Sequence, residues 1–313
     1  MSQHDDLIYD WNKVEDNFKP DFKIQFDDET LRDGIQSPSV HDPNIEQKIE
    51  ILHLMNQVGI DTADVGLPGA GERQIEHVTS LCEEIRDSKL NITPNCAART
   101  VIRDIEPIVK IQQKVGIPIE TCTFIGSSPI RQFAENWPLE KMLKHTEEAV
   151  KFGVKNELPI MYVTEDTTRA NPENIRKLYQ TAIECGAKRI CISDTVGHST
   201  PEGTYSLVKF VKSVVEETGE NVGIDWHGHR DRGLGTANAL MAIRAGATRI
   251  HGCGLGVGER VGNVQLDILL VNLKLMGWID NDLTILPEYC KTISKVCKVP
   301  VSVNYPVFGH DAF

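Results

Sequence analysis

A short apolar segment followed by a helical pattern recurs eight times between residues 22 and 277, and this repetition is the strongest constraint on the fold. The predicted strands are 22–26, 60–67, 91–97, 118–125, 157–163, 187–193, 222–226 and 248–253. Short apolar strands that alternate with helices predict a parallel sheet buried on both faces. Units of roughly 30 residues over this span fit a (β/α)₈ TIM barrel of about 250 residues.

The competing fold is an open doubly wound sheet, which usually carries G-x-G-x-x-G after its first strand. The glycine-rich run of this chain, GCGLGVGERVGN at 252–263, follows the last strand and does not contain that pattern. We therefore predict a barrel domain over 22–277. Residues 1–21 are predicted to form a short N-terminal arm. Residues 278–313, with one predicted helix at 287–298, are interpreted as a C-terminal linker that is cut short.

Composition restricts the class of protein. The net charge is −12 and no basic cluster is present, which argues against a general nucleic-acid or anionic-membrane binder. No apolar stretch approaches the roughly 20 residues that span a bilayer, and the acidic N-terminus does not resemble a secretory signal. The eight cysteines include no C-x-x-C pair, which is typical of reduced thiols. We expect a cytoplasmic protein without nucleic-acid or membrane partners.

Two histidines at the end of the seventh strand predict a metal site. His227 and His229 are two residues apart, so in a strand their side chains point the same way. In a closed barrel the carboxyl ends of strands seven, eight and one are consecutive, so Asp33 and Asn263 can face the same centre. This set suits Mn²⁺, Zn²⁺ or Mg²⁺ with open positions for substrate. The alternatives are solvated loop histidines, a capping role for Asp33 and a structural role for Asn263.

A fixed cation beside this site indicates the type of substrate. Arg32 precedes Asp33, and a guanidinium next to a metal suits a 2-oxo acid, whose carbonyl the metal polarises. Thr195 is a candidate donor to the substrate carboxylate, with an ordinary capping role as the alternative. Gln36 is a further candidate substrate contact. The last loop allows close approach by a long ligand, although tight turns alone would explain its glycines, Gly254, Gly256 and Gly258.

Five motifs, in order and at consistent spacing, carry a family resemblance. They are DETLRDGIQ (28–36), EDTTRANPE (165–173), SDTVG (193–197), HGHRD (227–231) and GVGERVGN (256–263). The chain resembles the DRE-TIM metallolyase family from about residue 24 to 277, and its nearest branch is that of the 2-isopropylmalate, homocitrate and citramalate synthases. The resemblance implies a Claisen-type condensation of acetyl-CoA with a 2-oxo acid, with 2-oxoisovalerate, from leucine biosynthesis, as the first expectation. Hydrolysis of the thioester follows.

The resemblance also implies roles for individual residues. Asp33, His227 and His229 would be metal ligands, and Asn263 would bind the metal directly or through water. Arg32 would contact the carbonyl of the oxo acid, and Thr195 its carboxylate. Glu165 would be the acid/base near the methyl group of acetyl-CoA, which the glycine-rich loop would help to bind. We also expect a homodimer.

Departures from the family leave the substrate open. The family commonly has His where this chain has Cys122 and Ser where it has Val163, and both side chains would line the pocket. Arg230 replaces the Asn of the usual H-x-H-N-D loop. In the synthases, a linker that donates a catalytic His to the partner subunit and a leucine-sensing domain follow the barrel. We expect this chain, which stops before both, to turn over poorly and to lack leucine inhibition through that domain.

Two other functions stay open. A lyase such as 3-hydroxy-3-methylglutaryl-CoA lyase runs similar chemistry towards cleavage and carries a catalytic Cys in its last glycine-rich loop. Cys253 is near that position, although GLGVGERVGN (254–263) is the synthase form of the loop. The third hypothesis is a diverged barrel that binds a 2-oxo acid without turnover.

Overall fold

A closed barrel of eight parallel strands forms the centre of the molecule. The computed structural model describes residues 9–13 and 18–312, and the strands follow one another around the ring in chain order. They are β1 Gln25–Asp28, β2 Thr62–Asp64, β3 Thr93–Arg99, β4 Glu120–Gly126, β5 Ile160–Glu165, β6 Arg189–Asp194, β7 Gly223–Gly228 and β8 Arg249–Gly252. β8 pairs with both β7 and β1 and closes the ring. The predicted (β/α)₈ TIM barrel is confirmed.

Helices surround this barrel, and local sequence sets several of their starts. In the described residues they are α1 Ile45–Val58, α2 Glu72–Asp87, α3 Ile102–Val115, α4 Pro129–Glu135, α5 Leu139–Lys155, α6 Pro172–Glu184, α7 Pro201–Thr218, α8 Gly235–Ala245, α9 Leu266–Leu275 and α10 Leu286–Val296. Asn44 and Gln47 form a capping box at α1, and the Thr200 side chain accepts from the Gly203 N–H at α7. These bonds satisfy donors that a helix start leaves unpaired.

The two faces of β7 show how the fold separates its core from its site. Ile224 and Trp226 are buried in the apolar layer between strands and helices. Asp225 and His227, which alternate with them, point into the barrel, because strand side chains alternate between faces. Asp225 there binds Arg189 and Arg249, and His227 lies next to Glu29. The barrel interior at this end is therefore charged, whereas the layer outside it is apolar.

The ends of the chain carry further elements. α10 packs beside α1, and its Tyr289 hydroxyl donates a hydrogen bond to Asp28 at the end of β1. Parts of the predicted arm, 1–8 and 14–17, lie outside the described residues, and a 3-10 turn spans Trp11–Lys13. The division into arm, barrel and extension stays a prediction. None of the helices in the described part of the chain has both the length and the apolar character needed to cross a bilayer.

The helix predicted at 261–276 begins only at Leu266. The preceding residues instead form a loop that bonds to the end of β7. Val264 N–H donates to the Gly228 carbonyl at 3.0 Å, and Arg230 N–H donates to the Gly262 carbonyl at 3.1 Å. These bonds between distant segments hold the backbone away from the helix, so the predicted helix start was wrong by five residues.

Two smaller differences concern β1 and α4. β1 runs from Gln25 to Asp28 rather than over 22–26, because its pairing with β8 starts where Gln25 faces Arg249. The short helix α4 was not predicted. Its signal was present in the sequence, since Ser128 caps the helix and Pro129 occupies its first turn.

Candidate metal and substrate site

The carboxyl end of β7 positions the two histidines. His227 faces Ser193 of β6 near the end of the strand pairing, and His229 follows directly after Gly228, the last residue of β7. A side chain at Gly228 would not fit, because a Cβ there would lie 2.8 Å from Trp226 Nε1. The strand can therefore present both imidazoles to the barrel mouth only with glycine between them.

His227, His229 and Asp33 form a compact cluster. The Nε2 atoms of the two histidines are 3.3 Å apart, and His229 Nε2 is 3.8 Å from Asp33 Oδ2. One ligand atom from each residue lies within 4.8 Å of the others. The two facing Nε2 atoms share at most one proton. His229 Nδ1 is buried and has no hydrogen-bond partner among the described residues. Two nitrogen donors and a carboxylate suit a divalent ion, so this cluster fits the predicted metal.

Charge at the cluster favours the protonation states that a metal needs at His229 and Asp33. Burial disfavours the charged form of His227, but the neighbouring Glu29 outweighs it and raises the pKa of that imidazole. Burial and the neighbouring His227 lower the pKa of His229 to about 4, which keeps its imidazole neutral. Burial disfavours the charged form of Asp33, but the Arg32 guanidinium outweighs it and lowers the pKa of that carboxyl. Neutral imidazole and ionised carboxylate are the forms that bind metal ions.

Asn263 lies beside the cluster and holds Asp33. Its backbone bridges to His229, and its Nδ2 donates to Asp33 Oδ2 at 2.6 Å and to the Val257 carbonyl at 3.1 Å. Its Oδ1 is buried and has no hydrogen-bond partner among the residues that the structure describes. The amide nitrogen therefore faces Asp33, and direct ligation by Asn263 stays a prediction.

Close packing requires glycine at the three positions of the glycine-rich loop that were predicted to bind acetyl-CoA. A Cβ would lie 2.3 Å from Ile293 Cδ1 at Gly254, 2.5 Å from Gln265 Cγ at Gly256 and 2.2 Å from Asn263 Nδ2 at Gly258. None of the three glycines is among the residues that line the cavity beside the cluster. Tight packing accounts for them, and a contact between this loop and acetyl-CoA stays a prediction.

Arg32 is held in place by carboxylates on several sides. Its Nε donates to Asp64 at 2.7 Å, its Nη1 to Asp33 at 2.8 Å, and its Nη2 lies 3.4 Å from Glu29. Burial alone would lower its pKa, but these carboxylates raise it well above the ordinary value. Gln36 also contacts Arg32, at 3.4 Å. The guanidinium is thus a fixed cation beside the metal cluster.

Glu165 and Thr195 lie on the rim of the same cavity. Glu165 ends β5, and its carboxylate is 3.4 Å from Arg131 Nη2 on α4. Burial raises the pKa of Glu165, with Arg131 acting in the opposite direction. A raised carboxyl pKa suits a general acid/base. The Thr195 hydroxyl accepts from the Asp166 N–H at 2.8 Å, so it supports the loop after β5 as well as facing the cavity.

One open cavity joins these groups. On the strands opposite the metal cluster it is bounded by an apolar patch, which we call the apolar wall. The apolar wall consists of Cys122 on β4, Met161 and Val163 on β5, and Cys191 on β6. Burial raises the pKa of the Cys122 and Cys191 thiols well above the ordinary value, so both are neutral. The two predicted pocket residues, Cys122 and Val163, thus lie together on this wall.

Four site residues were missed from the sequence. Glu29 and His251 are buried next to His227, Asp225 lies beneath His251, and Arg131 faces Glu165. Part of the signal was available, because Arg249 and His251 alternate inward in the predicted eighth strand. Glu29 had no such signal, since the first strand was predicted to end at residue 26.

Comparisons with known proteins identify the family of the chain. The model of the HMGL-like family matches residues 23–293. A 2-isopropylmalate synthase of Sulfolobus acidocaldarius is 32% identical over 93% of this chain and 73% of its own length. Homocitrate synthase AksA of Methanopyrus kandleri is 32% identical over 94% and 71%. A 2-isopropylmalate synthase of Sediminispirochaeta smaragdinae is 30% identical over 93% and 58%.

Coverage and structural likeness add two facts. The chain spans a little over half the length of several curated relatives, 56% for two from Methanopyrus kandleri. Among solved structures, the HMG-CoA lyase of Bacillus subtilis matches with a TM-score of 0.75 at 18% identity, over 92% of this chain and 98% of the lyase. At that identity the likeness concerns the barrel fold alone.

Proposed function

This chain belongs to the HMGL-like family, and on that premise we propose that it condenses acetyl-CoA with a 2-oxo acid and then hydrolyses the thioester. The observation that carries the proposal is one cavity that joins a metal-competent cluster, a fixed guanidinium, a carboxylate of raised pKa and the apolar wall. The relatives named as 2-isopropylmalate and homocitrate synthases support it.

The residues divide the reaction between them. A divalent ion held by Asp33, His227 and His229, with Asn263 beside it, would polarise the carbonyl of the oxo acid. Arg32 stabilises the negative charge that develops on that carbonyl oxygen, and Thr195 and Gln36 orient the substrate carboxylate. Glu165 removes a proton from the acetyl methyl group. The methyl carbon then bonds to C2 of the oxo acid. The electron pair of the C=O π bond moves to the oxygen, which is protonated to a hydroxyl. Water then hydrolyses the thioester and releases CoA as its thiol.

The apolar wall supports an oxo acid with a small apolar side chain. Arg32 is the only arginine among the described residues that line the cavity, and no lysine lines it. A second carboxylate, as in 2-oxoglutarate, would face the neutral side chains of Cys122, Met161 and Val163 without a cationic partner. We propose 2-oxoisovalerate first and pyruvate next, which correspond to 2-isopropylmalate and citramalate synthesis.

Cleavage by a lyase is the second candidate, and Cys253 argues against it. A catalytic Cys must reach the substrate, and as a base or nucleophile it acts as the thiolate. The Cys253 side chain is fully buried, it is not among the residues lining the cavity, and burial raises its thiol pKa well above the ordinary value. This thiol is placed for packing.

The test is CoA release, followed with a thiol reagent, from acetyl-CoA and each of three oxo acids, 2-oxoisovalerate, pyruvate and 2-oxoglutarate, with Mn²⁺ present. We expect release with 2-oxoisovalerate or pyruvate and little with 2-oxoglutarate. Release of acetyl-CoA from a 3-hydroxyacyl-CoA instead would assign a lyase. Binding of the oxo acid without either reaction would assign the non-catalytic barrel.

We also propose a homodimer, as the family resemblance implies. Sedimentation at several concentrations tests this point, and a single monomeric species throughout would contradict it.

A further inference from the structure

His227 belongs to two overlapping groups of metal-binding type. One is Asp33, His227 and His229, and the other is Glu29, His227 and His251. One ring nitrogen of His227 cannot bind an ion in both groups at once, so its two ring nitrogens must have different roles. The contacts of each nitrogen decide which group holds an ion.

The second group is already paired within the protein. Glu29 Oε2 lies 2.9 Å from His227 Nδ1, and Glu29 Oε1 lies 2.8 Å from His251 Nδ1. The far nitrogen of His251, Nε2, lies 2.9 Å from Asp225 Oδ2. The Glu29–His227 contact is a close approach of opposite charges and not an aligned hydrogen bond. Both ring nitrogens of His251 therefore face carboxylates, so His251 has no nitrogen free for a second ion.

This chain of contacts is anchored in the barrel interior. Asp225 binds Arg189 Nε at 2.6 Å and Arg249 Nε at 2.5 Å. Glu29, His251 and Asp225 are 3%, 2% and 0% exposed, so water does not compete for their contacts. A buried carboxylate held in this way has a fixed position relative to β7.

The consequence concerns the tautomer of His227. A carboxylate at Nδ1 places the ring proton there and leaves the Nε2 lone pair free. Nε2 is the atom that faces His229 Nε2, at 3.3 Å, and His229 Nε2 in turn lies 3.8 Å from Asp33 Oδ2. In metal sites, carboxylates commonly fix histidine ligands through the ring nitrogen away from the metal.

We infer that Glu29, held by His251 and Asp225, is a positioning residue that orients His227 and fixes its tautomer for metal binding. The inference rests on the proposed function, because it concerns the same metal site. It assigns to Glu29 and His251 a supporting role that acts through His227 rather than through contact with the substrate.

The test measures Mn²⁺ affinity of the folded chain by electron paramagnetic resonance of the free ion, without substrates. Glu29→Gln keeps the size of the side chain but loses its charge, and we expect about 10- to 100-fold weaker binding. Glu120→Gln is the matched control, because Glu120 is also buried and binds Arg249 at 2.6 Å but does not contact His227. It should leave the affinity unchanged.

A second variant covers the case in which Glu29→Gln fails to fold. His251→Gln removes the anchor but leaves Glu29 in place, and we expect a smaller loss of Mn²⁺ affinity, below about tenfold. Nitrogen-15 spectra of the histidines in the metal-free chain give a second measurement. They should show His227 protonated at Nδ1 in the parent and a mixture of tautomers in Glu29→Gln.

The outcomes separate this inference from the proposed function. Unchanged Mn²⁺ affinity and an unchanged His227 tautomer in the folded variants would overturn the inference alone. Equal losses in Glu29→Gln and Glu120→Gln would also overturn it, because the effect would then be general destabilisation. Absence of Mn²⁺ binding by the parent chain would overturn the proposed metal site and the inference together.

Discussion

The two sides of the cavity are built in different ways. On the side of β7, β8 and β1, the groups around the metal cluster are fixed from behind by charged contacts such as Arg32 to Asp64 at 2.7 Å. The apolar wall is shaped mainly by packing, with weak sulfur contacts such as Cys122 Sγ to Asn95 Oδ1 at 3.4 Å. We infer that the charged side, together with Glu165 at the end of β5, sets the chemistry, whereas the apolar wall selects the side chain of the oxo acid and can change without loss of the reaction.

The largest expected effect is loss of the metal from the charged side. Asp33→Ala or His227→Ala should abolish stoichiometric Mn²⁺ binding and activity while the fold persists, because each removes a donor from the cluster. His53→Ala is a suitable control, since His53 lies on α1 and pairs with Glu84 outside the barrel. Metal content and circular dichroism give the readouts. Full metal retention by a double variant of Asp33 and His227 would contradict a metal site on the charged side, and with it the contrast between the charged side and the apolar wall.

Loss of the base should be smaller and should leave binding intact. Glu165→Gln is expected to slow exchange of the acetyl-CoA methyl protons by about 10²–10⁴-fold, because general-base catalysis typically contributes that much. Affinity for Mn²⁺ and for the oxo acid should hardly change. Proton exchange followed by NMR is the measurement. Undiminished exchange would move the base to another carboxylate of the cavity, with Glu259 the first to examine.

A substitution in the apolar wall should change which oxo acid the site prefers and leave the condensation reaction itself unchanged. Val163 is the wall residue with a partly exposed side chain, so it faces the cavity directly. Val163→Leu should weaken 2-oxoisovalerate relative to pyruvate by about tenfold or more, since one methylene in a pocket is worth about 1–3 kcal/mol. Titration of both oxo acids in the presence of Mn²⁺ gives the ratio. A uniform loss for both substrates would show that the wall does not select between them.

The smallest effect is a pH dependence of stability on the charged side. Burial raises the pKa of Asp267, behind the glycine-rich loop, to about 6. Because this folded pKa lies above the unfolded value of about 3.9, the carboxyl stabilises the fold most below pH 4 and loses that contribution as pH rises through 6. Asp267→Asn should therefore gain about 2–3 kcal/mol relative to the parent between pH 4 and pH 8.

Urea unfolding of both chains across this pH range checks the sign. Cys191→Ala on the apolar wall is the matched control, because the Cys191 thiol has a pKa well above its ordinary value and stays neutral throughout. Its difference from the parent should be independent of pH. Parallel profiles for Asp267→Asn and the parent would contradict the expected coupling.

The sequence predicted the barrel from a repeated pattern. It predicted three members of the metal cluster from the short spacing of the two histidines and from the closure of that barrel. The strand–helix alternation recurs along the chain, and barrel closure brings the ends of strands seven, eight and one together, so His227, His229 and Asp33 could be grouped. Glu29 could not be, because its place depends on the register in which Asp28 faces Gly252 across β1 and β8. The late start of α9 likewise depends on a bond between Val264 and Gly228, which no local pattern shows.

The most direct test of the central claim is the affinity of the folded chain for 2-oxo acids, measured by calorimetry with and without Mn²⁺. If the charged side holds a metal that binds the oxo acid and the apolar wall receives its side chain, 2-oxoisovalerate or pyruvate should bind only when Mn²⁺ is present. The same account predicts that 2-oxoglutarate binds at least about tenfold more weakly. Equal affinity in the presence of a chelator, or a preference for 2-oxoglutarate, would contradict it.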